Sequence, residues 1–439
     1  MMEQPLLTQV ADIGHAQQDV QLLRDALRCD TYTHAINKLR HQLMQLHDLR
    51  TSFRSLAAQI VLTEVELFEI KAFVHLCGQA RQALTEMTIA ERFPLPDLQP
   101  VFQLLDPDAT GIANFYIYDT YDTRLEPIRR KMKSCSDTDL ADLMAAQNEI
   151  QQEVISRLCG QLHPHAEDLA TAIEQMAYLD FTLARATLAE AWHLSVPKIG
   201  NCSSAGSGEE FAALLSFQQL ANPRLKQHNE SQGLRYQPID LEVGAGATLI
   251  TGANMAGKTV LLKSVGVAQL MFQFGFPVPA AAATLCPVDD VVFCIGDEQN
   301  EMNGLSSFAA EITRISDVLR RSATERMLIL IDEPARTTNP VEGKALVQAI
   351  LRLLQQRDSI TLVTTHYSQL GTSCRRLRVK GFVESMIDIP LTAQNINRFI
   401  DYSLIPDSSD AVPQEALRIA EMLSCDATLI ATARECLEE

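Results

Sequence analysis

The chain has 439 residues, 46% hydrophobic and 21% charged, enough for roughly two to four domains with proper cores. Its formal net charge of -18 and sequence pI near 5.0 argue against a broad surface for coating nucleic acid, though not against a local basic patch. The 10 cysteines form no C-x-x-C pair, so neither a disulfide framework nor a metal site is suggested, and reduced, buried thiols are the expected state.

The N-terminal residues show no basic region followed by an apolar core, so no secretory signal is expected and the cytoplasm is the expected location. From residue 15 to 92 apolar side chains recur at helical spacing: Leu39, Leu43, Leu46, Leu49, Phe53, Leu56, Val61, Val65 and Phe68. Pro94, Pro96 and Pro100 end that run. Tyr116-Ile117-Tyr118, flanked by Gly111 and Asp119, reads as a short strand. Helical pattern resumes at Arg124 and runs to about Trp192, with a weak break at Ser134–Asp139. The Gly/Ser-rich Asn201–Glu210 reads as a loop or domain junction, so the first 220 residues read as an all-helical arm. That arm is the more acidic part, with 17 Lys and Arg against 29 Asp and Glu over residues 1–220, the reverse of a surface that grips phosphates.

From Phe211 short β-branched runs alternate with helices. Strands are expected at Thr248–Ile250, Val291–Ile295, Met327–Ile331 and Ile360–Thr364, and helices at Val260–Phe274, Ser307–Arg321 and Gly343–Gln356. Such alternation implies a mainly parallel sheet covered by helices. The apolar stretch Val265–Leu285 is interrupted by Gln269, Gln273, Pro277 and Pro279, so it reads as a buried helix and loop, not a membrane span. Pro413–Glu439 reads as one or two short amphipathic helices.

The chemistry concentrates in the second half. Gly252-Ala253-Asn254-Met255-Ala256-Gly257-Lys258-Thr259 is a complete phosphate-binding loop between a strand and a helix that begins near Val260. Its glycines let backbone N–H groups converge on phosphate oxygens, and the helix directs its positive end at them. Lys258 suits the β- and γ-phosphates of ATP, and the Thr259 hydroxyl suits Mg²⁺. Asp332-Glu333 closes an apolar strand, which places Asp332 at the metal and Glu333 as general base. His366 ends the next strand, where it can sense the γ-phosphate. Ser306 can cap the helix that follows it, with Phe308 buried. The basic clusters Arg129-Arg130-Lys131-Met132-Lys133 and Arg375-Arg376-Leu377-Arg378-Val379-Lys380 read as solvated faces before nucleic-acid contacts.

Taken together, residues 215–435 resemble the ATPase domain of the MutS family. Thr251 to Val260 is similar to the family's TGPNMGGKST, with Asn254-Met255 as its specific part. Val278-Pro279-Ala280, Ile295-Gly296, Ser306-Ser307-Phe308 with Glu311, Asp332-Glu333 with Arg336, Thr338, Glu342 and Gly343, and Thr365-His366-Tyr367 match further family segments in order. The resemblance implies an α/β P-loop NTPase of the ABC type (211–405), an all-α core and lever region before it (1–210) and a C-terminal dimerisation segment (406–439). It also implies a homodimer or a heterodimer with a MutS-like subunit, in which each composite site takes Ser306 from its neighbour, Glu333 activates water and His366 acts as sensor.

The departures are specific. Ala256 replaces a loop glycine, Thr259-Val260 replaces Ser-Thr, Gln299-Asn300 stands for an acidic pair, and Pro334-Ala335 and Thr337 stiffen the turn after the carboxylates. No counterpart of the family's mismatch-reading and connector domains is read upstream, the clamp between the lever helices is reduced to about Ser134–Asp139, and the one F-x-E is Phe382-Val383-Glu384, beyond His366. Two targets remain open: DNA, bound by a dimeric clamp in repair or recombination, and a client enzyme, as in the truncated relatives that resemble reactivating factors for cobalamin-dependent aminomutases.

Overall fold

A computed structural model describes residues 6–133, 137–200, 213–253, 256–295, 307–367, 370–383, 396–407, 417, 420–421 and 425–438. In chain order its helices are α1 (Val10–Arg28), α2 (Thr33–Leu43), α3 (Arg50–Ala57), α4 (Glu64–Glu86), α5 (Gln99–Leu105), α6 (Leu125–Met132), α7 (Asp137–Leu162), α8 (Ala166–Ala191), α9 (Pro223–Ser231), α10 (Lys258–Gln273), α11 (Ser307–Arg321), α12 (Pro340–Gln355) and α13 (Ala427–Glu438). The strands are β1 (Lys198–Ile199), β2 (Leu215–Leu220), β3 (Ile239–Val243), β4 (Gly246–Thr251), β5 (Ala282–Leu285), β6 (Asp290–Cys294), β7 (Met327–Ile331), β8 (Ile360–Thr364), β9 (Arg375–Phe382) and β10 (Ile400–Pro406). Two compact units result, residues 19–187 and residues 1–18 with 188–439.

The unit 19–187 is helical. Its long α4 starts at a capping box: the Glu66 N–H donates to Thr63 Oγ1 (3.2 Å) and the Thr63 N–H donates back to the Glu66 carboxylate (2.8 Å). From there Leu67, Ile70, Val74 and Cys77 form a buried stripe at helical spacing, packed in one core with Leu39, Phe53 and Leu84. Tyr116–Tyr118 is not a strand, contrary to the sequence expectation. Side chains take the backbone bonds a ladder would use: Ile117 donates to Glu64 (3.3 Å), Ile117 O accepts from Arg129 (2.7 Å), and Asn114 O accepts from Lys71 (2.7 Å) and Tyr118 (3.1 Å).

Lys71 is fully buried in that core. Its ammonium lies 3.0 Å from the Asp106 carboxylate and 3.1 Å from Tyr118 Oη. Burial pushes the Asp106 carboxyl up, but hydrogen bonds from Thr110 and Gly111 and the Lys71 ammonium outweigh it and hold the group at about 2, against an ordinary 3.8. The stability this supplies is complete above pH about 4 and is lost as the pH falls through about 2. Lys71→Met is expected to destabilise the helical unit by about 3–5 kcal/mol, because it strands a buried carboxylate. Denaturant melts of Lys71→Met, with Lys71→Met/Asp106→Asn recovering part of the loss, check it; a single variant as stable as the parent refutes it.

The second unit contains two sheets. Strands β1, β5, β2 and β3, in that spatial order, form a mostly antiparallel sheet; only β1–β5 is parallel. This corrects the reading of the first 220 residues as entirely helical, since β1 and β2 lie within them. The larger sheet runs β10-β9-β4-β8-β7-β6, parallel from β9 to β6, with β10 antiparallel at the edge. Successive strand residues alternate between its two faces. Ile250, Leu328, Leu330 and Leu362 pack with Leu262, Val265 and Phe272 of α10, while Leu249, Ile329, Ile331 and Val363 pack with Ile315 and Val318 of α11 and Val347, Ile350 and Leu351 of α12.

The helix α10 lies close to this sheet. A Cβ on Gly266 would sit 2.3 Å from Phe293 Cζ and 2.7 Å from Leu330 Cδ1, so any larger residue would force those side chains to shift. Gln269 and Gln273, read from sequence as interruptions of an apolar stretch, are fully buried. Gln269 donates to Cys286 O (2.8 Å) and Gln273 to Val288 O (2.6 Å) and Leu7 O (3.1 Å), which ties the C-terminal end of α10 to two chain segments. Among the described residues no helix is long and apolar enough to cross a membrane. Cys77, Cys159, Cys286, Cys294 and Cys374 are buried and not in disulfides, and burial pushes Cys77 up to about 12.

Candidate functional site

The candidate loop lies where β4 gives way to α10. Gly252 has φ +144° and Gly257 has φ +74°, both values that side chains resist. Close approach adds a second reason: a Cβ on Gly252 would lie 3.2 Å from Val379 Cβ, and one on Gly257 would lie 3.2 Å from the Tyr402 ring. Gly257 is the N-cap of α10, so the positive end of that helix opens onto the loop. Ala256 is buried and its N–H donates to Ala253 O (3.0 Å), so the methyl that replaces a glycine hydrogen is accommodated. Val260, in the first turn of α10, is half-buried, and its carbonyl accepts from Ser264 (2.7 Å). Asn254 and Met255 lie outside the described residues.

Lys258 is buried, and its ammonium donates to the carbonyls of Gly252 (2.7 Å) and Ala253 (3.1 Å). It also lies 3.3 Å from Glu333 Oε1. The next residue joins the loop to the acidic strand end: Thr259 Oγ1 donates to Asp332 Oδ2 at 2.6 Å. The other Asp332 oxygen accepts from Thr364 Oγ1, also at 2.6 Å, and that hydroxyl in turn accepts from the Glu333 N–H at 3.0 Å. Four predicted residues, Lys258, Thr259, Asp332 and Glu333, therefore form one connected cluster at the C-terminal ends of β4, β7 and β8.

Such a cluster can bind a phosphate chain and a hard cation. An ammonium and a helix N-terminus meet negative charge, while a hydroxyl and a carboxylate supply oxygen ligands of the kind Mg²⁺ takes alongside phosphate and water. No group of three or more His, Cys, Asp or Glu suited to a metal occurs among the described residues.

His366 follows the buried Thr364 and Thr365 with its side chain exposed and its ring 4.3 Å from that of Tyr367. It makes no hydrogen bond to the four-residue cluster among the described residues. Ser306 lies outside the described residues, and Phe308 is half-buried, where full burial was expected. Glu311 on α11 accepts from the Ala335 N–H (3.4 Å); burial raises its carboxyl and that hydrogen bond partly offsets the rise. Thr364, which links Asp332 to Glu333, was not singled out from sequence, and a threonine closing an apolar strand carries no distinguishing signal there. Tyr402 was missed for the same reason, since its place against Gly257 depends on pairing between β9 and β10.

Arg129, Arg130 and Lys380 of the two basic clusters, with the neighbouring Arg124, pair with acids. Arg124 pairs with Asp122 (2.9 Å) and Glu153 (2.5 Å), Arg129 with Asp119 (2.5 Å) and Arg130 with Glu126 (2.6 Å). On β9, Lys380 pairs with Asp401 (2.8 Å), whose carboxyl lies well below the usual range: burial opposes this, and hydrogen bonds from Lys380, Ser403 and Gln237 outweigh it.

Comparison with known proteins places this geometry in context. Residues 248–439 match the family model MutS domain V. The chain is similar to Endonuclease MutS2 of Geobacillus thermodenitrificans (strain NG80-2), 34% identical over 234 residues that cover 53% of this chain and 28% of the relative. Endonuclease MutS2 of Gemmatimonas aurantiaca is 33% identical over 295 residues, 66% of this chain and 33% of the relative. That of Fusobacterium nucleatum subsp. nucleatum is 28% identical over 307 residues, 68% of this chain and 36% of the relative. The matched stretch thus spans between 28% and 36% of the length of these curated relatives.

Proposed function

We propose, on the premise that residues 248–439 are a MutS-family domain V, that this chain is an ABC-type P-loop ATPase that hydrolyses Mg²⁺-ATP to switch a dimeric clamp. The observation that carries the reading is the unbroken connection from Thr259 through Asp332 and Thr364 to Glu333, beside the Lys258 ammonium. In it the loop 252–260 receives the phosphates, Thr259 and Asp332 hold Mg²⁺, and Lys258 neutralises the β- and γ-phosphates. Glu333 takes a proton from the attacking water, and His366, exposed at the end of β8, meets the γ-phosphate. Ser306 reaches the site of a second subunit, so each site is completed by two chains.

DNA is the proposed target of the clamp. A second reading, a client protein, is favoured by one observation: Arg124, Arg129 and Arg130 are already paired with acids on their own unit. Measuring ATP turnover with and without duplex or branched DNA, at low and physiological salt, separates the two. The DNA reading expects stimulation that weakens steeply as salt rises. No DNA binding even at low salt overturns it in favour of the client.

A further inference from the structure

The turn after the paired carboxylates has an unusual backbone. Glu333 has φ +45° and Ala335 has φ +60°, values at which a Cβ crowds the chain and glycine is the ordinary occupant. Non-glycine residues persist there only where their surroundings over-determine the conformation. At Ala335 those surroundings are explicit. The residue is fully buried, its N–H donates to Glu311 Oε1 (3.4 Å), and its carbonyl accepts from the Tyr367 hydroxyl (3.1 Å). Tyr367 is itself anchored at the end of β8, where its N–H donates to Thr365 Oγ1 (3.1 Å).

The opposite wall is shaped for that hydroxyl. Gly343, in the first turn of α12, faces it so closely that a Cβ would lie 2.3 Å from Tyr367 Oη and 3.0 Å from Ala335 O. A methyl at that position would displace the hydroxyl or the carbonyl. Glycine there has no conformational purpose, since it lies within a helix; its use is space.

We propose that Tyr367 is a positioning residue for Glu333, acting through the Ala335 carbonyl, and that Gly343 is required to admit its hydroxyl. The inference rests on the reading of Glu333 as general base. Holding residue 335 in the left-handed region fixes the direction in which the chain leaves Glu333, and with it the place of the carboxylate beside Lys258. Without the hydroxyl, residue 335 relaxes toward negative φ, and the carboxylate leaves its line to the attacking water. Glu333 is held on its other side by Thr364, so the displacement is small and affects chemistry more than binding.

Tyr367→Phe removes one oxygen and keeps the ring. It is expected to leave the KM for Mg²⁺-ATP within about twofold and to lower kcat by about tenfold or more, the effect of a misplaced reacting group. Gly343→Ala should reproduce the kcat loss with the hydroxyl still present. Adding Ala335→Gly to Tyr367→Phe should restore most of kcat, because glycine adopts φ +60° unaided. Unchanged kcat in Tyr367→Phe, or no rescue by Ala335→Gly, overturns the proposal. If Glu333→Gln is inactive while Tyr367→Phe turns over at full rate, only this inference falls. If Glu333→Gln turns over normally, the assignment of the base falls first.

Discussion

Glu333→Gln is expected to bind Mg²⁺-ATP as well as the unaltered chain while turnover falls by about 10²–10⁴-fold, the usual contribution of a positioned base. The substitution keeps the shape of the side chain and the backbone bond from the Glu333 N–H to Thr364, so the turn and Asp332 stay in place. It removes the acceptor for the water proton. It also removes the charge that faces Lys258 at 3.3 Å, which frees the ammonium for phosphate and works against any loss of affinity. Equilibrium nucleotide binding and steady-state phosphate release, measured on the same preparation, check both halves. Normal phosphate release would assign the base elsewhere.

The second large effect concerns the shared site. Homodimers of Lys258→Ala and of Ser306→Ala should each lose most of their turnover, for different reasons. On the proposed reading, the first removes the buried loop cation that would meet the phosphates, and the second removes a donor to them from the neighbour's site. Mixing the two variants distinguishes a site completed in trans from one completed in cis. In a trans arrangement the mixed dimer has one site with both defects and one with neither, so it should recover about half the parental turnover. In a cis arrangement each site keeps one defect and the mixture stays inactive. Turnover of purified mixed dimers, distinguished by two affinity tags, gives the answer directly.

Much of the larger sheet was legible because its central strands are buried on both faces. Met327–Ile331 is a continuous apolar run and Ile360–Thr364 a β-branched run buried throughout, and both have the bounds expected of them. The α11 helix, Ser307–Arg321, was equally plain from its spacing. The edge was not. In β9, Leu377 and Val379 are buried while Arg376, Arg378 and Lys380 occupy the alternate positions and Arg375 starts the strand, so the segment reads as a basic cluster before it reads as a strand. β2 and β3 carry mixed patterns whose register depends on each other. The unit boundaries likewise differ from the sequence boundary at 210, because residues 1–18 and 188–200 group with the sheets through contacts distant in the chain.

At the site, Lys258, Thr259, Asp332 and Glu333 were legible because strand ends and loop spacing are local properties. What holds them together is not local. Thr364 bonds to Asp332 and Glu333 across 32 and 31 positions, and Tyr367 bonds to Ala335 across 32. Pro334-Ala335 was read as a stiffer turn; Ala335 has a positive φ, with hydrogen bonds on both its backbone polar groups.

The contact at Gly266 bears on how the loop meets its ligand. The loop is suspended between β4, which ends at Thr251, and α10, which starts at Lys258. With Phe293 of β6 and Leu330 of β7 filling the space a side chain on α10 would occupy, that helix packs directly against two strands of the sheet to which β4 belongs. Both abutments of the loop are therefore fixed in one frame, and the span between them is set when the chain folds. For the proposed ATPase this means that a phosphate ligand meets a loop whose two ends are already placed.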